Sequence, residues 1–299
     1  LVTDLSNTTL YTPQKIVVDG THVYFSHGLS NQLHRAPKTG GAHELVADLE
    51  SSVIELAQYG TNVYPFVFGI SGLKLLELPK SGGATKLLHQ AFGSTMDVGR
   101  VVPEGGFVYF GSGQGAGGGA DAYRWDMATG TKTTLYPASR FLRTTATHVY
   151  FFAGRNISRA PKSAGAAFEP IVGTGTAVNV FEVEGNEIVY SYDDRVLLYR
   201  VPLIAPYQAI QLNPTEIQAD FVFDDLHVDG AHAYVMAQNS YPSAVSAIYR
   251  IPRTGGEAQA FVGNQPSGRP HAQDSGYVYW SAMYSCGSGC GKKMTVRKK

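Results

Sequence analysis

Residues 18–26 read VDGTHVYFS, a Gly-containing turn followed by a short run of β-branched and aromatic residues. Asp and Gly suit a tight turn, and Val, Tyr and Phe suit extended backbone, so the stretch predicts a turn that opens a strand. The pattern returns as GTNVYPFVF (60–68), GGFVYFGS (105–112), ATHVYFFAG (146–154), GNEIVYSYD (185–193), GAHAYVMAQ (230–238) and SGYVYWSA (275–282). Tyr24, Tyr64, Tyr109, Tyr150, Tyr190, Tyr234 and Tyr279 mark the seven copies, spaced 40 to 45 residues apart. That is the period of a four-stranded propeller blade.

Around each of these anchor strands the rest of a blade can be read. LHRAPKTGG (33–41), LELPKSGG (76–83), SRAPKSAG (158–165) and YRIPRTGG (249–256) are third strands that end in Pro- and Gly-rich turns. Short outer strands such as HELVADL (43–49) follow, and apolar segments such as KIVVDG (15–20) and DLHVDG (225–230) precede the anchors as innermost strands. Twenty residues follow Tyr279, and Tyr24 is the twenty-fourth residue, so the two ends together make one more repeat. LVTDLS (1–6) matches the outer strand LVADLE (45–50). MTVRKK (294–299) matches a third strand, with Arg297 in the place of Arg35, Arg159, Arg200 and Arg250. The expectation is one all-β domain over 1–299, a seven-bladed β-propeller of four-stranded blades. Residues 1–6 should pair with 293–298, so that the N-terminal strand completes the last blade and closes the ring.

At VYF, VYW and xRxPKxGG the chain resembles the YWTD/NHL-like propeller superfamily, in the style of bacterial cell-surface propeller-repeat proteins. The resemblance runs the length of the chain. It implies the fold, but such propellers serve adhesion, ligand binding, scaffolding and several lyase or hydrolase reactions, so it implies no single function.

Lys and Arg total 24 and so do Asp and Glu. A neutral chain lacks the basic surface that displaces counterions from phosphates, so nucleic acid is not an expected partner. No apolar run reaches the roughly 20 residues that span a bilayer, so membrane insertion is not expected either. The chain starts at Leu1 without a signal-peptide pattern, which reads as a mature form after signal removal or a trimmed chain. Cys286 and Cys290, in CGSGC, are close enough in sequence for a disulfide and favour an oxidising setting. The expected location is secreted, periplasmic or cell-surface, and the expected state is a monomer.

Residues that recur in every blade are read as packing. This covers the anchor tyrosines, the third-strand arginines and the lysines of PKTGG and PKSGG, while His22, His148 and His232 are read as turn residues. Function should lie in what differs between blades, on the face where inner strands begin. Counting back from each tyrosine, the position of Lys15 is filled by Glu55, Arg100, Phe141, Phe181, Asp225 and Pro270. That of Val17 is filled by Ala57, Val102, Arg143, Val183, His227 and Ala272. Arg140, Asp224, Arg269 and His271 fall beside them. Arginines there would fork a carboxylate, although a water-filled channel would be lined the same way. The loops 237–247 and 281–293 are longer than their counterparts and carry Tyr241 and Tyr284 as exposed aromatics suited to stacking on a sugar ring.

No P-loop, HExxH, GxSxG or EF-hand pattern occurs. No cofactor and no metal are expected; calcium is the one ion that Asp193 with Asp194, or Asp224 with Asp225, would suit, and neither pair has a calcium loop's alternation of oxygen ligands. Two functions stand. The first is a binding propeller for a carbohydrate, peptide or partner protein, using Lys15, Glu55, Arg100, Arg140, Arg143, Asp224, Asp225, His227, Arg269, His271, Tyr241 and Tyr284. The second is a polysaccharide lyase or related lyase. There Arg143 would neutralise a substrate carboxylate, His227 or His271 would serve as base, and a tyrosine would be the acid.

Overall fold

Gly105 and Gly106 show how local chemistry makes a blade. Both have positive φ, 59° and 83°, which glycine alone adopts freely, and together they form a two-residue turn that sets Glu104 opposite Phe107. Other blades use aspartate at this corner. Asp19 accepts the backbone N–H groups of Thr21 and His22 at 2.9 and 2.8 Å. Asp229 accepts those of Ala231 and His232, and Asp274 those of Gly276 and Tyr277. His22 and His232 open anchor strands beside two of these turns, and His148 opens its strand beside a corner where the Thr145 hydroxyl accepts its N–H at 3.3 Å.

A computed structural model describes residues 2–4, 13–27, 31–91, 97–98, 100–113, 121–136, 139–153, 156–163, 165, 167–173, 178–192, 197–217, 221–239, 245–266, 269–283 and 292–299. Seven antiparallel sheets are present, each ordered inner, anchor, third and outer strand. Blade one is Pro13–Val18, His22–His27, Gln32–Pro37 and Glu44–Asp48. Blade two is Ser52–Tyr59, Asn62–Gly69, Gly72–Pro79 and Lys86–Ala91. In blade three the inner strand is split into Asp97–Val98 and Val102–Glu104, ahead of Phe107–Gly113, Asp121–Asp126 and Lys132–Tyr136. Blade four is Ser139–Thr144, His148–Ala153, Asn156–Pro161 and Glu169–Gly173. Blade five is Val178–Glu184, Glu187–Tyr192, Leu198–Pro202 and Ile210–Gln211. Blade six is Phe221–Val228, His232–Asn239, Val245–Pro252 and Gln259–Pro266.

Blade seven is Arg269–Gln273, Tyr277–Met283 and Lys292–Lys298, with Val2–Asp4 as its fourth strand. Val2 faces Thr295, Thr3 faces Met294 and Asp4 faces Lys293. Residues 1, 5 and 6 of the expected pairing lie outside the described residues. Among the described residues there is no helix, and the fold class is the seven-bladed β-propeller.

The chain divides into two compact units. Unit one holds Tyr11–Gly154 and Arg159–Phe168; unit two holds Val2–Leu10, Arg155–Ser158 and Glu169–Lys299. Within each, successive blades share a core. In unit one, Tyr24 and Leu33 of blade one pack with Val53, Leu56 and Val63 of blade two, and Phe66 and Leu75 of blade two pack with Val108 and Phe110 of blade three. In unit two, Val180 and Val189 of blade five join Leu226 and Val235 of blade six, and Tyr234 and Phe261 of blade six join Val278 and Trp280 of blade seven.

The repeated lysines turn out to be ties between blades. Lys80, at the end of the blade-two third strand, reaches Asp19 of blade one at 2.9 Å and lies over the Tyr24 ring at 5.6 Å. Lys162 does the same to Glu104 and Tyr109 at 2.7 and 5.0 Å, and Lys299 to Asp229 and Tyr234 at 2.9 and 5.2 Å. Each lysine thus meets a carboxylate and an aromatic face of the preceding blade. Burial opposes ionisation of Asp19, but the His22 and Thr21 N–H groups and Lys80 outweigh it and hold the carboxyl well below its usual range. Burial and then the nearby Asp19 push the Tyr24 phenol up to about 12. Met127 takes the lysine's place in blade three, where its Sδ receives the Tyr64 hydroxyl at 3.6 Å.

One buried group is set against acid. His89 of blade two packs against the Phe110 and Tyr123 rings of blade three, at 5.1 and 5.6 Å. Its buried Nε2 has no hydrogen-bond partner among the described residues. Burial, and then Lys132, lower its pKa to about 4. The folded protein therefore binds this proton less readily than the unfolded chain. Stability from this site is complete above the ordinary value of about 6.5 and is lost as pH falls from there toward 4. Melting temperature should fall less between pH 7 and about 4.5 in His89→Leu than in the parent. Equal falls would show that His89 is not the sensor.

Candidate functional site

Backbone register fixes which residues share a blade position. Val17 faces Tyr24, Ala57 faces Tyr64, Val102 faces Tyr109, Arg143 faces Tyr150, His227 faces Tyr234 and Ala272 faces Tyr279. Blade five departs from the tyrosine count. Glu184 faces Glu187 across a two-residue turn, so Val189 holds the anchor position and Glu182 faces it. Tyr190, one residue further on, faces the opposite side of the sheet and stacks on Tyr199, with centroids 5.6 Å apart. Val183 is therefore replaced in the set by Glu182, a carboxylate that counting from Tyr190 misses.

The leading ends of the inner strands need a second correction. The residue two beyond the anchor is Ser26, Phe66, Phe152, Ser191 or Ser281, and its partners are Lys15, Glu55, Arg140, Val180 and Arg269. Arg140, Val180 and Arg269 thus fill the position expected for Phe141, Phe181 and Pro270. In blades four and seven the cause is a register shift inside the inner strand, between Arg140 and Arg143 and between Arg269 and His271; in blade five it is the same one-residue offset of Tyr190 from the anchor position. An inserted residue breaks the two-residue alternation on which the count depended. Asp224 and Asp225 fall inside a longer irregular stretch, between Val222 and Leu226. Arg100 lies between the two pieces of the blade-three inner strand.

Unit one brings two of the expected site residues together. Lys15 Nζ of blade one lies 3.1 Å from Glu55 Oε2 of blade two, with the two side chains 29% and 17% exposed. At that exposure the pair is worth up to about 1 kcal/mol, so its effect is more to hold both head groups in place than to stabilise the fold. Ser26, across the ladder from Lys15, has a buried Oγ without a hydrogen-bond partner among the described residues. Arg143 is buried and Arg100 half-buried. Successive inner strands are also tied directly. The Gln58 amide donates to the Val18 carbonyl at 3.3 Å in unit one, and Gln273 donates to that of Val228 at 3.0 Å in unit two.

In unit two, His227 and Glu182 are half-buried. Arg140, Asp224, Asp225, Arg269 and His271 are placed by backbone only. Tyr241, Tyr284, Cys286, Cys290, Asp193 and Asp194 lie outside the described residues. Arg297, expected beside the other third-strand arginines, faces Val278 rather than Tyr279. It therefore points to the other side of its sheet, where it donates to the Phe261 carbonyl of blade six and covers the Phe261 ring at 4.8 Å. Arg35 and Arg124 instead donate to the Lys80 and Lys162 carbonyls of the blades that follow them.

No protein-family model and no curated protein matches the chain. Solved structures do. A catalytically inactive His-to-Ala variant of virginiamycin B lyase from Staphylococcus aureus, with quinupristin, superposes at a TM-score of 0.67 with 13% identity, over 99% of each chain. PorZ, a bacterial surface component of the type-IX secretion system of Porphyromonas gingivalis, gives 0.65 and 13%, over 97% of this chain and 38% of that one. A nidogen/laminin complex gives 0.54 and 13%, over 76% and 89%. At such identities the likeness is one of fold: the chain is a seven-bladed β-propeller, as its resemblance to the YWTD/NHL-like superfamily implies.

Proposed function

We propose that this protein is a secreted or surface-exposed binding propeller that takes a carbohydrate, peptide or partner protein at the leading ends of its inner strands. One observation carries the reading. Polar residues that repeat, such as Lys80, Lys162 and Lys299, tie one blade to the next, whereas Lys15, Glu55, Arg140 and Arg269 are charged residues that differ from blade to blade at one inner-strand position. In unit one that position, with Arg100 and Arg143, carries more positive than negative charge, which suits a ligand with carboxylate groups. Protein-binding and surface-located propellers among the structural neighbours support the same reading.

The test is a glycan and peptide array followed by titration of the best binder. Lys15→Ala and Arg140→Ala should each weaken binding about tenfold, which is about 1.4 kcal/mol. Unchanged affinity in both would sink this site. The secreted assignment predicts a disulfide between Cys286 and Cys290; two free thiols in protein purified from the medium would count against it.

A second reading is a lyase, favoured by the likeness to virginiamycin B lyase, in which a His-to-Ala variant is catalytically inactive. Here His227 and His271, on the inner strands of blades six and seven, would supply the base. Formation of an unsaturated product, lost in both His227→Ala and His271→Ala, would establish it; activity surviving both would exclude these bases.

A further inference from the structure

We infer that Glu182 positions the His227 imidazole, and that the pair gives unit two a proton-dependent hydrogen-bond donor for a carbonyl or carboxylate oxygen of the ligand. The ligand part rests on the binding reading above; the pairing itself does not.

Register carries the inference. Glu182 faces Val189 and His227 faces Tyr234, so the two stand at the same level of their blades. Their inner strands, Val178–Glu184 and Phe221–Val228, lie against each other. The packing beneath is fixed, because Val180 of one strand and Leu226 and Val228 of the other are buried in one core cluster. Both polar residues are half-buried. The Val183 N–H donates to Glu182 Oε1 at 3.2 Å, which restricts the carboxylate to a narrow range of orientations. In five other blades the same level holds Val17, Ala57, Val102, Ala272 or Arg143. The carboxylate and imidazole on successive strands are therefore particular to this part of the fold.

Among the described side chains, Glu182 is the carboxylate at the level of His227 on the neighbouring inner strand. Tyr234, opposite it, has its phenol raised to about 12 by burial and then by Asp229, so it stays neutral. Blade seven offers Ala272 and the uncharged Gln273 at this level, with His271 and Arg269 nearer the leading end of that strand. Asp224 and Asp225 lie on the strand of His227 itself, in its irregular stretch. A carboxylate beside an imidazole favours the charged imidazolium and fixes which nitrogen carries the donor proton in the neutral form.

The test needs no ligand. In histidine-labelled protein, the His227 resonance is identified by its loss in His227→Gln and titrated by NMR. Glu182→Gln should lower the His227 pKa by about one unit or more, and Glu182→Asp by less. An unchanged His227 titration in either folded variant overturns the pairing. If Glu182→Gln does not fold, the Glu182→Asp titration decides alone. A shifted titration in a protein that binds no ligand would keep the pair and discard the binding reading.

Discussion

Replacing Tyr234 by alanine should cost about 3–5 kcal/mol, the range for removing a large buried aromatic. Tyr234 is 1% exposed and meets the edge of Phe261 at 5.5 Å. Lys299 of the next blade lies over its ring, and its hydroxyl bonds Asp229. The truncation therefore empties a core cluster shared by blades six and seven and strips the aromatic face from a charged tie. For a chain of this size the melting temperature should fall by roughly 6–10 °C. Tyr234→Phe keeps the ring and loses only the hydroxyl, so it should cost about 1 kcal/mol. Tyr277 is 42% exposed, and Tyr277→Ala should change stability by less than about 0.5 kcal/mol. A loss under 1 kcal/mol for Tyr234→Ala, measured by denaturant unfolding, would refute the packing role given to the anchors.

That role was legible in the sequence because two independent signals coincide. Turn residues such as Asp19-Gly20 and Gly105-Gly106 specify the corner, and the Val-Tyr-Phe run after them specifies a strand. Both recur at one period, which local propensity alone does not produce. The strand that carries the unrepeated polar residues was legible too, since Lys15, Glu55, Arg143 and His227 fall on inner strands. What could not be read was which of them share a face. A strand has a side-chain period of two, so one inserted residue moves every later side chain across the sheet. The extra residues between Arg140 and Arg143 and at Pro270 carry no marker that separates a bulge from ordinary strand. Counting from a tyrosine therefore chose Phe141 over Arg140 and Pro270 over Arg269. In blade five the marker itself misled and chose Val183 over Glu182, since Tyr190 is buried on the face opposite that of the other anchors.

The same reasoning explains Arg297. Its sequence neighbours match the other third strands, but the pairing of Tyr277 with Lys298 sets the strand one residue away from its counterparts. Arg297 covers Phe261 of the preceding blade, whereas Arg35 and Arg124 reach forward. Lys299 nevertheless occupies the place of Lys80 and Lys162. Its N–H bonds the Gly276 carbonyl as those of Lys80 and Lys162 bond Thr61 and Thr147. The ties between blades are thus set by the turn, where hydrogen bonds fix the register, more firmly than by the strand that leads to it.

Removal of residues 1–6 should produce the other large loss. Val2–Asp4 is the fourth strand of blade seven, and its partners Lys293–Thr295 belong to a third strand that would otherwise be an open edge. Two or three ladder hydrogen bonds at about 1 kcal/mol each put the direct loss near 2–3 kcal/mol, or a fall of roughly 5 °C in melting temperature. The exposed edge adds a second consequence, because unpaired N–H and C=O groups along a strand recruit other strands. The truncated protein should therefore also self-associate on light scattering. A synthetic LVTDLS peptide added in millimolar excess should recover part of the melting temperature and suppress the association, since it restores the missing strand in trans. A truncated protein that melts with the parent and stays monodisperse would show that Val2–Asp4 covers the edge without securing it, and blade seven would then be held by its core residues Val278 and Trp280 and by ties to blade six such as Lys299 to Asp229.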